Sequence, residues 1–405
     1  MKMSRWWIVF GALIVQLCLG AIYSWSVFVN PLKEAYGFTT TQTQIIFSVA
    51  LAVFALVMIF AGRWQDKKGP RKVALTGGLL LSIGYILAAF IGSSFAGLVL
   101  TIGLIGGAGL GFGYVCPIAA LIKWFPDKRG LITGLAVAGF GAGAWIFAQL
   151  AAYLISANGL ANAFLSLGLI FLIGVPGGAL LLSNPPAGWV PEGMSPAKQP
   201  AAILSQNDYT WNEMLAMPQF WIFWLMYALG ASAGLMVIGN LKPFGVHSGL
   251  SAAAAGSAVG ILALFNGAGR ISWGSASDFL SRTRAMLLMF FLQGLMMLFL
   301  IKMSATTLLL GVASAWVGFN YGGIFALFPS ATADYFGTKN MGVNYGLVFT
   351  SYGVAGIVGP ILGGKVFDLT GDYKIAFISG GIFCFVAAGL SFFLKKPVSA
   401  RTDSA

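Results

Sequence analysis

Arg270 ends an apolar run, Ala263-Leu264-Phe265-Asn266-Gly267-Ala268-Gly269-Arg270, eight residues before the chain turns polar at Asp278. On a helix rising about 1.5 Å per residue, the guanidinium lies roughly 12 Å inside a bilayer, near its midplane. A charge there costs about 2.5 to 3.5 kcal/mol even on lenient insertion scales, and arginine cannot shed it. It must be met by an anion, a polar group or water. One reading is a carboxylate site, because guanidinium and carboxylate form a two-pronged, charge-assisted contact that strengthens where the dielectric is low. The other is a packing arginine that satisfies backbone carbonyls at a kink. Asn266, one turn earlier on the same helical face, is either a second anchor for a carboxylate or hydroxyl, or glue between helices.

Tyr23, Tyr114, Tyr321 and Tyr352 fall near the middle of other apolar stretches and would supply neutral donors. Phe325 follows Tyr321 by four residues and Phe349 precedes Tyr352 by three, so each pair can share a helix face. Leu135 is a candidate for an apolar wall. Aromatic stripes in membrane helices are more often core than contact, so convergence on Arg270 is what would set these residues apart. All eleven acidic residues lie in loops, tails or helix ends, and the sole histidine, His247, lies in an outer loop. With no buried carboxylate pair, nucleophile and base, or ligand cluster, the chain does not read as an enzyme and implies no metal and no cofactor. It also offers no evident proton carrier inside the membrane. Gly139-Phe140-Gly141-Ala142-Gly143-Ala144 matches a dinucleotide fingerprint as text only, since no strand precedes it.

The elements that must position these residues are membrane helices. Of 405 residues 58% are hydrophobic and 8% charged, against about 25% charged in a soluble domain. Spans are expected near 6–29, 43–62, 73–92, 96–118, 130–156, 162–182, 219–241, 252–276, 284–303, 306–329, 341–364 and 374–394, twelve in all. The net charge of +12 follows the positive-inside rule rather than marking a nucleic-acid surface. With both termini cytoplasmic, only Lys33, Lys242, Lys302, Lys365 and Lys374 fall on the outer side, and the inner loops would attract anionic lipids at the cytoplasmic face. Cys18, Cys116 and Cys384 all fall within spans and offer no disulfide framework.

The proline-rich stretch after Ser183 divides the chain into a six-helix bundle over 1–183, a cytoplasmic linker over 184–218 and a second six-helix bundle with a short tail over 219–405. In the linker, Thr210-Trp211-Asn212-Glu213 has capping-box spacing and predicts a short amphipathic helix. A constant offset of 212 residues brings Pro31 onto Pro243, Gly62 onto Gly274, Asp66 onto Asp278, Gly130 onto Gly342, Gly134 onto Gly346 and Leu135 onto Leu347. Matches at several helix ends under one offset mark a parallel repeat. Arg270 falls opposite Met58, so only the second half supplies the charge.

Gly62-Arg63-Trp64-Gln65-Asp66-Lys67-Lys68-Gly69-Pro70-Arg71-Lys72 resembles the signature loop between helices 2 and 3 of the major facilitator superfamily, and Gly274 to Arg284 resembles its degenerate second copy. The resemblance covers the whole chain. It implies an all-α polytopic membrane protein whose twelve transmembrane helices form two pseudo-symmetric bundles. Asp66, Arg71 and Asp278 would latch a cytoplasmic gate, with the Asp66 carboxylate against the positive end of a helix. Tyr23-Ser24-Trp25 with Asn30-Pro31, Lys123-Trp124-Phe125-Pro126-Asp127-Lys128-Arg129-Gly130, Met217-Pro218-Gln219-Phe220-Trp221, Leu264-Phe265-Asn266-Gly267 and Ala326-Leu327-Phe328-Pro329-Ser330 resemble, more narrowly, the oxalate/formate antiporter family, itself related to the monocarboxylate (lactate) transporters. This implies a bacterial inner-membrane carrier of a small carboxylate, anchored by Arg270.

Two departures refine the expectation. Carriers of oxalate have, by resemblance, a lysine where this chain aligns Tyr352, so one fixed cation favours a monocarboxylate such as L-lactate, pyruvate or propionate over a dianion. Animal monocarboxylate transporters place an aspartate one turn before the arginine and a lysine in helix 1; this chain has Asn266 and no lysine before Lys33. Proton-coupled symport by alternating access is the family's habit. Exchange of carboxylates is the alternative, because a bare Arg270 would oppose turnover of the empty carrier. A membrane channel or sensor is the remaining class.

Overall fold

In hydrocarbon each backbone N–H and C=O must be satisfied within its own segment, so the long apolar stretches fold as helices. The computed structural model describes residues 5–38, 40–186, 189 and 208–396. Pro191, Pro196 and Pro200 of the linker, with Lys2, Lys198 and Arg401, lie outside the described residues. Eleven described helices are long and apolar enough to cross a membrane. One of them, Arg129–Leu181, is 53 residues long and bends at Gly159 (φ 77°, ψ 173°), so it supplies two of the twelve expected spans.

The chain forms two units, 1–121 with 136–184 and 122–135 with 185–405. In the first, α1 (Arg5–Gly20) passes through a tight 3-10 turn at Ala21–Ser24 into α2 (Ser26–Tyr36). The sequence predicts one continuous helix there; the Ser24 hydroxyl instead donates back to the Ala21 carbonyl at 2.7 Å, inside the turn. Then come α3 (Thr40–Lys68), α4 (Pro70–Ile91), the short α5 (Phe95–Leu98), a π-helical stretch over Val99–Gly106, α6 (Gly107–Trp124) and α7 (Arg129–Leu181), of which 122–124 and 129–135 belong to the second unit. The overlapping glycines of α6 serve close packing. A Cβ at Gly77 of α4 would strike the backbone of Gly109 and Gly113. Cys18 and Cys116 are buried core residues of this unit, as Cys384 is of the other.

The second unit holds the short α8 (Trp211–Leu215), α9 (Pro218–His247), α10 (Ala252–Leu280), α11 (Arg282–Phe299), α12 (Thr307–Phe336), α13 (Met341–Thr370) and α14 (Lys374–Leu390). The predicted capping box is present at α8: Thr210 Oγ1 accepts from the Glu213 amide, and Glu213 Oε2 accepts from the Thr210 amide at 2.7 Å. Asp208, just before it, accepts from the Thr338 and Lys339 amides, both at 2.9 Å, which ties the end of the linker to the turn between α12 and α13.

The feature that positions the arginine is a seam between α10 and α12. A Cβ at Gly318 would strike the Leu262 carbonyl, one at Gly322 the Asn266 carbonyl and the Arg270 amide, and one at Gly269 the Phe319 carbonyl. Glycines four residues apart on one helix thus let the two backbones touch, which fixes their register. On its other side the Arg270 carbonyl lies against Gly134, and Gly274 one turn on lies against Gly130.

The repeat extends to backbone conformation. Gly69, before α4, has φ 85° and ψ 165°, and its counterpart Ser281, before α11, has φ 81° and ψ 151°. Ser281 is the single non-glycine residue with positive φ among the described residues. Such a conformation costs a side chain about 1 to 3 kcal/mol.

Two outcomes are expected from these contacts. Ser281→Gly should stabilise the detergent-solubilised protein by about 1 kcal/mol after the glycine entropy cost, seen as a higher melting temperature. A lower one would show that Ser281 is not strained. Gly322→Ala should destabilise by about 1 to 3 kcal/mol through overpacking, and an unchanged melting temperature would mean that α10 and α12 part freely.

Candidate functional site

Arg270, on α10, is 1% exposed. Its Nε donates to Asn266 Oδ1 at 2.9 Å, and its guanidinium carbon sits 4.6 Å from the centre of the Phe325 ring. The expected pairing of Asn266 and Arg270 on one face is present. A neutral amide and an aromatic face both stabilise a cation without neutralising it. Both contacts hold the guanidinium in a low-dielectric place.

The predicted aromatics of this unit cluster about Phe325. Tyr321 and Phe325 are edge-on at 5.3 Å, Phe325 and Tyr352 at 5.5 Å, and Phe349 lies 5.0 Å from Tyr352. Tyr321, Phe325, Phe349 and Tyr352 are all buried. Leu135 is half-buried and follows Gly134, the residue against the Arg270 backbone. Tyr227, on α9, is a member that sequence reasoning missed. Its ring stacks on Phe328 at 4.5 Å and reaches Phe325, Phe349 and Tyr352 at 6.0 to 6.5 Å. No charge or motif distinguishes it in the sequence, where it is one aromatic among several in Phe220 to Tyr227. Trp273, one turn beyond Arg270, donates to Asn320 Oδ1 at 3.1 Å and braces the same two helices.

Tyr23 and Tyr114 belong to the first unit. Tyr23 is half-buried with its ring 5.1 Å from Phe140; Tyr114 is buried, 5.4 Å from Phe140 and 5.2 Å from Phe54.

Of the gating candidates, Asp278 lies in the second unit. Its two carboxylate oxygens accept from the Gly130 and Leu131 amides, each at 3.0 Å, so it caps the start of α7, where backbone donors are otherwise unmatched. Arg282 pairs with Asp278 at 2.7 Å and with Asp334 at 2.8 Å, and Arg129 pairs with Asp334 at 2.6 Å. Arg129, Arg282 and Asp334 were not foreseen in this role; a pairing of residues 205 positions apart leaves no local signal. These groups line a cavity of about 320 Å³ together with Ser277, Tyr335 and Lys396. In the first unit, Asp66 accepts from Gln65 Nε2 at 3.2 Å, and Arg71 Nε donates to the Leu182 carbonyl at 3.3 Å. His247 is exposed, edge-on to Phe367 at 5.1 Å.

Comparison with known proteins agrees with this architecture. The chain matches the family described as the Major Facilitator Superfamily over residues 9–360, with a second match over 244–405. It is 30% identical to an oxalate:formate antiporter of Oxalobacter formigenes, over 96% of this chain and 91% of that protein. It is 27% identical to monocarboxylate transporter 13 of Rattus norvegicus, over 95% of this chain and 87% of that one. The outward-conformation crystal structure of the transporter FucP superposes with a TM-score of 0.70 at 18% identity, over 95% of this chain and 98% of that one, a likeness of fold. With its membrane-spanning helices, its buried cation and these relatives of small organic anion transport, the chain belongs to the major facilitator superfamily and is an integral membrane transporter, not an enzyme.

Proposed function

We propose that this protein is a secondary active transporter of small monocarboxylates, with L-lactate the favoured substrate and pyruvate and propionate close behind, and that Arg270 anchors the carboxylate. The observation that carries the reading is the buried guanidinium itself, 1% exposed, with Asn266 at 2.9 Å and the Phe325 face at 4.6 Å. A carboxylate arriving at the guanidinium edge gains a charge-assisted, two-pronged contact in surroundings that strengthen it. Tyr321 and Tyr352 are proposed as phenolic donors to the same anion, and Phe325, Phe349 and Leu135 as the wall for its apolar end. Tyr23 and Tyr114 of the first unit are proposed as further donors on their chemistry. The relatives support a carboxylate: one is named for oxalate and formate, the other for monocarboxylates.

Asp278, Asp66 and Arg71 are proposed as the latch of the cytoplasmic gate in an alternating-access cycle, within a cytoplasmic membrane that holds both termini inside. Coupling to a proton is the preferred mode. The likeness to monocarboxylate transporters supports it, and exchange of carboxylates is the alternative.

Uptake of labelled L-lactate into proteoliposomes tests both parts. An inward proton gradient should drive accumulation into vesicles that contain no carboxylate; uptake that needs internal lactate and ignores the gradient would establish exchange instead. Arg270→Lys should lose at least about tenfold, because an ammonium keeps the charge and loses the fork, and near-normal uptake would remove Arg270 from binding. Tyr352→Lys should turn preference toward dicarboxylates, and failure of that variant to gain oxalate uptake would sink the charge-matching argument.

A further inference from the structure

The end of the linker is bound to the turn between α12 and α13 by five hydrogen bonds, all within the second unit. Besides the Thr338 and Lys339 amides capped by Asp208, the Tyr209 amide donates to the Phe336 carbonyl at 3.0 Å, and the Tyr209 carbonyl accepts from Asn340 Nδ2 and Asn344 Nδ2, each at 3.0 Å. A carboxylate that accepts from two successive amides at a turn is firmly held. Asn344, in the first turn of α13, is fully buried, and a buried amide that loses its partner costs more than the bond itself returns. Asp208, by contrast, is exposed, so water can take over its carboxylate when it leaves. The contact has the character of a strap that is either fastened or released as a whole.

The strap acts next to the ion pairs. Asp334, paired with Arg129 at 2.6 Å and with Arg282 at 2.8 Å, stands two residues before Phe336, whose carbonyl takes the Tyr209 amide. Gly337 ends α12 with φ 85°, and the strap grips the backbone on both sides of it. Partly buried ion pairs are a fine balance of attraction and desolvation, so a small displacement of the end of α12 is enough to tip them. We propose that Asp208 is a positioning residue of the transport cycle: by gripping the turn between α12 and α13 it holds Asp334 between Arg129 and Arg282, and release of the strap loosens that junction. The inference rests on the reading of this region as a gate in an alternating-access cycle, and it adds the linker as the element that controls the gate.

The test uses Ser277→Cys, which places a thiol in the wall of the cavity beside the junction, at a position 2% exposed. The purified protein in lipid nanodiscs is treated with a maleimide, and labelling of each cysteine is read by peptide mass; Cys384, buried in α14, reports any loss of fold. Asp208→Ala should raise the labelling rate at position 277 about tenfold, equivalent to about 1.4 kcal/mol, with Cys384 unchanged. Asp208→Asn, which keeps an acceptor oxygen, should stay within about threefold of the parent. An unchanged rate in Asp208→Ala would overturn the assignment, and so would a rise at Cys384 in step with position 277, which would make the strap a fastener of the fold. Arg129→Gln breaks the junction directly and should raise labelling at position 277 with the strap intact. If it does so and Asp208→Ala does not, the role of the strap alone falls; if neither variant raises the rate, the gate reading falls and the strap with it.

Discussion

The structure of the second unit follows from one constraint, that a guanidinium with 1% exposure must be stabilised where water is excluded. The insertion cost of about 2.5 to 3.5 kcal/mol is comparable to the gain from its two observed partners. A hydrogen bond to a charged group contributes about 1.5 to 3 kcal/mol and a desolvated cation–π contact about 2. Asn266 and Phe325 therefore each contribute to holding Arg270 in place. An aspartate at position 266 would also hold it but would cancel its charge. Asparagine keeps the geometry without adding a negative charge of its own.

Holding the guanidinium requires that Phe325 on α12 face Arg270 on α10, and that requirement accounts for the glycines. Gly318 and Gly322 let the helices meet backbone to backbone beside Leu262, Asn266 and Arg270, so the aromatic ring three residues beyond Gly322 arrives at the right height. Gly134 and Gly130 bring the start of α7 equally close on the other side, and Asp278 completes that approach by capping the first amides of α7. Arg282 between Asp278 and Asp334 adds electrostatic order more than stability. Partly buried ion pairs of this kind contribute little net energy when intact and much when one partner is removed. Such contacts suit a junction that must be either made or broken.

The sequence made the helices legible because apolar length in a membrane protein leaves the backbone little choice. It also exposed the repeat, Arg270 and Asn266, since a charge in an apolar run and a constant offset are visible without coordinates. It concealed Tyr227, Trp273 and the Arg129–Asp334 pair. Each of these depends on which face of a helix meets which neighbour, and an all-round apolar helix such as α12 carries no pattern that says so. The break at Ala21–Ser24 and the strain at Ser281 were hidden for a different reason. Both are single-residue backbone choices, and Ser281 becomes recognisable only when its counterpart Gly69 is seen in the same conformation.

Tyr352 is fully buried and packed among Tyr227, Phe325 and Phe349, with ring centres 5.0 to 6.5 Å away. Four aromatic rings make that wall neutral, and Arg270 brings a positive charge to its Phe325 side. On the proposed carboxylate reading, a ligand with one carboxylate and a short apolar body would satisfy both features at once. A dianion would bring its second charge into an apolar wall, where the cost of desolvation exceeds what phenolic donors return. The neutral tyrosine at position 352 therefore weighs as much in the reading of this protein as the arginine at 270.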